Sequence, residues 1–283
     1  MKLPIIDSSS SSAGIDVIVR AIKKANASAC SQSSTQTDLS GAAAYHHPSF
    51  KNIWDANIVY DLRLPEETTP ENLIAEIENH FADNNVTCFN WVPNDLTLDP
   101  ALASALKKQG LREKSFLCMQ LTNSLNPEPP RNDLQIIPAR AMRTEYRELS
   151  RISHIHDWDE SSADNMADFQ LNALDDPKLD MFIARLDKQV VAAGGVYTVG
   201  EIALLWDIVT HPEHRRKGIM ASFLHAVLDH AARCQAKTIA LETEPDNAPA
   251  INLYRSFGFD KLTEFQTFTR TPDPISPPIM NPR

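Results

Sequence analysis

Residues 180–209 read DMFIARLDKQVVAAGGVYTVGEIALLWDIV. The apolar runs DMFIARL, QVVAAGGVYTV and EIALLWDIV follow one another closely, which predicts consecutive strands in an antiparallel meander. Downstream come a helix within HPEHRRKGIMASFLHAVLDHAA (211–232), strand KTIALET (237–243), helix APAINLYRSF (248–257) and strand EFQTFTR (264–270). Upstream lie strand LQIIPAR (134–140) and helices MRTEYRELSRI (142–152) and ADNMADFQLNAL (163–174). A meander feeding alternating strands and helices implies an α/β fold with a mixed, mostly antiparallel sheet flanked by helices.

The first half has its own alternation: strand ANIVYDLRL (56–64), helix PENLIAEIENHF (70–81), strand VTCFNWV (86–92), helix DPALASALKKQ (99–109) and strand KSFLCMQL (114–121). This predicts a second, smaller α/β domain. NPEPPRND (126–133) has three prolines and no apolar residue, so the expected division is a domain at 1–125, a linker at 126–133 and a domain at 134–283. Ile15, Val17, Ile18, Ala21 and Ile22 fall at helical spacing opposite Arg20, Lys23 and Lys24, predicting an amphipathic helix. The Ser/Ala-rich residues 26–44 then read as a surface loop.

At 283 residues and 31.6 kDa the chain has room for two ordinary domains. With 42% hydrophobic and 23% charged residues and no long apolar run, no membrane partner is expected. The N-terminal MKLPIIDSSSSSAG fits no secretory signal, so a cytoplasmic location is expected. A formal net charge of -10 argues against nucleic acid as a partner and is compatible with an amine substrate. Cys30, Cys88, Cys118 and Cys234 form no CxxC pair, so the expectation is buried thiols and no metal.

Ile219, Met220, Phe223, Leu224, Val227, Leu228 and Ala231 recur every three or four residues, marking a helix with one buried stripe. Arg215, Arg216, Lys217 and Gly218 stand at its start, where free N–H groups and the positive helix end favour a phosphate or pyrophosphate. Alone, such a cluster equally describes a solvated face. A second element follows: Asn247, Ala250, Leu253, Tyr254, Gly258 and Phe259 form N-x-x-A-x-x-L-Y-x-x-x-G-F just after a predicted strand.

With both elements in this order, residues 133–270 resemble the GCN5-related N-acetyltransferase superfamily. The resemblance implies acetyl-CoA as co-substrate and an acetyl transfer to a primary amine of a small molecule or peptide. Arg215 and Gly218 match the first two fixed positions of its pyrophosphate pattern, [Q/R]-x-x-G-x-[G/A]. The third position is Met220, with Ala221 one residue later, so a long side chain must turn away from the cofactor. The resemblance further implies that Ile208, Val209 and Thr210 lie along the pantetheine arm. It gives residues 216 to 221, Ile219 among them, the N–H groups for the pyrophosphate, and places Asn247 on the cofactor. Asn247 also reads as a plain helix cap.

Acetyl transfer needs a neutral amine, stabilisation of the developing oxyanion and a proton for the departing thiolate. Tyr254 matches the family's general acid; the alternative is a core tyrosine. Glu242, Asp207 and Glu201 are candidate bases, ranked in favour of Glu242, which lies near the expected strand splay. The loop HIHDWDE (154–160) gathers two histidines, three acids and a tryptophan, so His154, Asp157, Trp158, Asp159 and Glu160 are candidate acceptor contacts. A polar loop or a metal site are the other readings of that loop. ALASALKKQGL (101–111) loosely parallels APAINLYRSFGF with Leu106 in place of Tyr254, suggesting that the first half is either a degenerate copy of the same fold or an unrelated small α/β domain. The rival to catalysis is a non-catalytic acyl-CoA-binding module.

Overall fold

A computed structural model describes residues 13–123, 131–155 and 158–270. Two compact units share them: residues 13–25 with 117–263, and residues 26–116 with 264–270. This division differs from a cut at the proline-rich segment, because strand pairing, not chain order, decides which residues pack together. Residues 126–130 of that segment lie outside the described residues.

Helix α1 (Ile15–Ser31) buries Ile18, Val19, Ala21, Ile22 and Ala25, whereas Ile15 and Val17 are 42% and 54% exposed. The expected apolar face is therefore corrected: it starts at Ile18, and Val17 lies about a quarter-turn to one side of it. Residues 26–44 are not a surface loop. They finish α1, then form β1 (Thr35–Leu39) and open β2 (Ala42–His46), joined by an antiparallel ladder and with β2 wholly buried. Short alanine side chains in β2 allow close packing, a role that composition alone does not separate from a flexible loop.

β3 (Ile58–Leu62) pairs antiparallel with β2 and parallel with β4 (Asn90–Pro93). Between them α2 (Pro70–Asp83) starts where the Thr69 hydroxyl accepts the Asn72 N–H and Pro70 occupies the first turn. Its buried side chains Leu73, Ile74, Ile77 and Phe81 recur at helical spacing. α3 (Pro100–Lys108) is capped by Asp99 and buries Leu102, Ala105 and Leu106. On the other side of β4, Trp91 and Asn90 pair with Phe268 and Thr269. Trp91, Leu62, Phe81 and Leu106 meet in the core of this unit.

β5 (Arg112–Leu121) ends in the larger unit, whose strands run in the order β6 (Gln135–Pro138), β7 (Leu179–Leu186), β8 (Gln189–Val199), β9 (Ile202–Thr210), β10 (Thr238–Thr243) and β5. All neighbours are antiparallel except β9 and β10. The meander expected at 180–209 is β7 to β9. Helices α4 (Arg143–His154), α5 (Glu160–Ala173), α6 (Ile219–Arg233) and α7 (Ala248–Ser256) flank the sheet, and β11 (Phe259–Thr269) begins here. α6 buries Ile219, Phe223, Leu224, Val227, Leu228 and Ala231 on this unit's core. Among the described residues no helix is long and apolar enough to cross a membrane.

Candidate functional site

Strands β9 and β10 pair only through Ile202–Thr238, Ala203–Ile239 and Leu204–Ala240. Beyond Leu204 each keeps its other neighbour: β9 stays on β8 to Thr210, and β10 stays on β5 to Thr243. The two strands therefore separate, and β9 from Leu205 onward presents a backbone edge with no strand on the β10 side among the described residues. Such an edge offers N–H and C=O groups to an extended, amide-bearing ligand. Ile208, Val209 and Thr210 all lie on it. Thr210 also accepts a hydrogen bond of 3.3 Å from Arg215 Nε, and Ile208 packs partly on the core.

The separation coincides with a bulge. Ala193 opposes Val209 and Gly195 opposes Trp206, so Asp207 and Ile208 together face Gly194. Asp207 has φ of 44°, the left-handed region, which bends the strand there. The glycines leave room here: a Cβ on Gly194 would lie 2.5 Å from Ile208 Cδ1 and displace that side chain, and one on Gly195 would lie 2.5 Å from the Asp180 carbonyl oxygen of β7.

Past β9 the chain enters α6 through a basic turn. Gly218 precedes the first helical residue at φ 72° with no side-chain cap, and Arg216 is also left-handed at φ 59°. The first helical bond joins the Ser222 N–H to the Gly218 carbonyl, so the N–H groups of Ile219, Met220 and Ala221 precede the ladder. Arg215, Arg216, Lys217 and Gly218 are exposed around them. Arg131 steadies the turn, donating to the Lys217 carbonyl at 3.2 Å and, from its backbone N–H, to Ser222 Oγ at 3.1 Å. Met220 is half-buried and packs on the core. Its long side chain is thereby accommodated without occupying the turn.

Tyr254 on α7 is buried, with its ring edge-on to Phe259 at 5.9 Å. Burial pushes its pKa up to about 12, so the phenol carries its proton throughout the neutral range. Its hydroxyl makes no hydrogen bond among the described residues. Core packing and a free proton therefore occur together. Asn247 caps α7 from an exposed position, its Oδ1 accepting the Ala250 N–H at 3.2 Å.

The candidate carboxylates separate clearly. Glu201 is exposed and paired with Lys237 at 2.6 Å, at the closed end of the β9–β10 pair, roughly 20 Å along the strand from Asp207. That position sets it apart from the opening between the strands. Glu242 is half-buried opposite Cys118, and its charge, after burial, helps push that thiol up to about 12. Asp207 is gripped from two helices: Tyr146 Oη donates to Oδ2 at 3.0 Å and Gln170 Nε2 to Oδ1 at 3.3 Å. Burial raises its pKa above the usual carboxylate value, opposed by the nearby His154 and by the Tyr146 hydrogen bond.

The 154–160 loop divides in the same way. His154 ends α4, stacks on Trp158 at 5.2 Å and interacts electrostatically with Asp207. Asp159 is committed to capping α5, its carboxylate accepting from the Ser162 N–H at 3.0 Å and the Ser162 hydroxyl at 2.6 Å, which holds its pKa down. Glu160 is exposed in the first turn of α5. Asp157 lies outside the described residues. Tyr146 and Gln170 escape a sequence reading because they sit 61 and 37 residues from Asp207. The glycine pair Gly194-Gly195 inside a strand was the available signal of a bulge.

Residues 142–259 match the model of the acetyltransferase (GNAT) family. Among curated proteins, the chain is 27% identical over 126 residues to the [ribosomal protein bS18]-alanine N-acetyltransferase of Escherichia coli (strain K12), covering 44% of this chain and 79% of the relative. Among solved structures, a GCN5-related N-acetyltransferase from Kribbella flavida superposes with a TM-score of 0.59 at 15% identity, over 92% of this chain and 97% of the other. A tandem GNAT protein from the clavulanic acid biosynthesis pathway gives 0.54 at 14% identity, over 83% and 80%. At these identities the two structures speak for the fold.

Proposed function

We propose that residues 142–259, which match the acetyltransferase (GNAT) family, form an acetyltransferase domain and that the chain transfers acetyl from acetyl-CoA to the primary amine of a peptide or small molecule. The observation that carries the reading is the separation of β9 from β10 after Leu204–Ala240, with the uncapped start of α6 following directly in the chain. The exposed edge of Leu205–Thr210 suits the amides of a pantetheine arm. The N–H groups of Ile219, Met220 and Ala221, flanked by Arg215, Arg216 and Lys217, suit a pyrophosphate. The Asn247 amide completes the cofactor contacts.

In this reading Asp207 ranks above Glu242 as the base, because its raised pKa brings it toward the range where a carboxylate accepts a proton from an ammonium group. Tyr146 and Gln170 position it. His154 and Trp158 line the acceptor side, where an aromatic face and a carboxylate together favour a cation. The amine lone pair attacks the thioester carbonyl, forming the C–N bond as the C–S bond breaks. Asp207, directly or through water, takes the amine proton, and Tyr254 Oη donates to the thiolate.

The bacterial relative is named for N-acetylation of an alanine of ribosomal protein bS18, which makes an alanine-bearing peptide amine the first acceptor to test. Incubation with acetyl-CoA and a panel of peptides and small amines, read as free thiol, should show acceptor-dependent release. Binding of acetyl-CoA with no release for any acceptor would instead establish the non-catalytic module. For the first half we propose a degenerate copy of the same fold. Tyr60-Asp61 in β3 repeats Trp206-Asp207 in β9, both aspartates are left-handed, and each strand runs parallel to the next strand after a helix.

A further inference from the structure

Asp180 on β7 and His230 and Cys234 at the end of α6 direct one donor atom each to a common place, all within 4.8 Å of one another. His230 and Cys234 are four residues apart, which stacks them on one helix face. The Phe182 ring meets the imidazole edge-on at 4.9 Å and holds its orientation. His230 Nε2 lies 2.9 Å from Asp180 Oδ2 and 3.5 Å from Cys234 Sγ.

Carboxylate and thiol thus address the same ring nitrogen. A nucleophile triad needs them on opposite nitrogens, so that a proton can pass through the ring. An ion pair needs no thiol. Convergence of oxygen, nitrogen and sulfur donors on one point is the arrangement of a ligand set. Donors held about 2.0–2.3 Å from a tetrahedral ion stand about 3.3–3.8 Å apart, close to the 2.9 and 3.5 Å that separate the imidazole nitrogen from the carboxylate and the thiol.

We propose that Asp180, His230 and Cys234 bind a divalent transition-metal ion of the zinc class, with water in the fourth position. The mixed donor set suits zinc better than magnesium or calcium. The thiolate is the form that ligates a metal, so binding releases the Cys234 thiol proton to solvent. Arg140 stands 3.7 Å from Asp180 Oδ1, but its other nitrogens donate to the carbonyls of Leu174, Asp176 and Leu179, leaving Oδ2 toward the imidazole. His230 lies about 16 Å along α6 from Ile219, so the ion clamps α6 to β7 away from the cofactor turn. Cysteine spacing concealed this site, since Asp180 and His230 are 50 residues apart.

The test titrates Co²⁺ into the untagged, metal-stripped full chain. One equivalent should bind with a thiolate-to-cobalt charge-transfer absorption that Zn²⁺ abolishes. Cys234→Ser, at an exposed position, should fold and lose that absorption. His230→Ala and Asp180→Asn should each weaken Co²⁺ binding at least tenfold, and Zn²⁺ should raise the melting temperature of the wild type but not of Cys234→Ser. No cobalt binding, or an absorption that survives in Cys234→Ser, overturns the site. Unchanged affinity in Asp180→Asn overturns the three-ligand set.

Discussion

Helices α2 and α6 occupy the same place in two similar strand-helix-strand units, yet their starts are built oppositely. Thr69 and Pro70 satisfy the first turn of α2 from within the chain. α6 begins at a left-handed Gly218 with no side-chain cap and basic residues around it. The parallel strands differ likewise: β3 and β4 meet again at Leu62–Pro93 after an irregularity between Val59 and Leu62, while β9 and β10 part after Leu204–Ala240 and do not rejoin. A helix start that closes on itself contributes stability; one left open contributes a place for a ligand. A strand-helix-strand unit can do either, and side chains at a handful of positions decide which.

The largest test of this contrast lies one helix further on, where Leu106 stands in α3 and Tyr254 in α7. Tyr254→Phe should lower turnover about 100-fold or more while leaving acetyl-CoA affinity within twofold, measured by steady-state thiol release and equilibrium binding. Unchanged turnover would reduce Tyr254 to a core residue like Leu106.

Next come the two left-handed aspartates. Asp207→Asn should cost roughly tenfold to 100-fold in kcat/KM, and Asp61→Asn, at an exposed position, nothing measurable. Stability moves the other way. Because burial raises the Asp207 pKa, its contribution is fully present below the ordinary carboxylate pKa of about 3.9 and is lost as pH rises through the raised value. Asp207→Asn should therefore match the wild type near pH 3.5 and exceed it at pH 8, read as denaturant midpoints. A variant equally destabilised at both would mean that the carboxylate is structural.

Smaller effects distinguish the helix starts themselves. Gly218→Ala has open space for its Cβ but must hold φ 72°, a strain of about 1–2 kcal/mol, and should raise the acetyl-CoA dissociation constant several-fold. Thr69→Ala should cost about 1 kcal/mol of stability and leave acetyl-CoA binding unchanged. If both variants behave alike, the contrast between the two starts fails.

Much of this was legible in the residues. The meander, the α6 stripe and the two motif elements announce themselves through local periodicity, which depends on neighbours three or four positions away. The Asp207 cluster and the Asp180–His230–Cys234 group depend on packing between distant segments, where spacing carries no signal. Asp159 and Asn247 look the same as caps and as ligands, since both roles ask for a short polar side chain; the structure shows the cap in each case. The Ser/Ala-rich residues 26–44 misled because small residues serve buried β2 as well as they serve a loop.

The strand β5 carries one more consequence. Its residues 117–120 cover β10 from a position before the proline-rich segment, and Phe268 and Thr269, near the far end of the chain, cover β4. A gene cut at that segment would encode two products, each with a strand edge laid bare. Either half expressed alone is therefore expected to associate through that edge, and the two halves to stay in solution best as one chain.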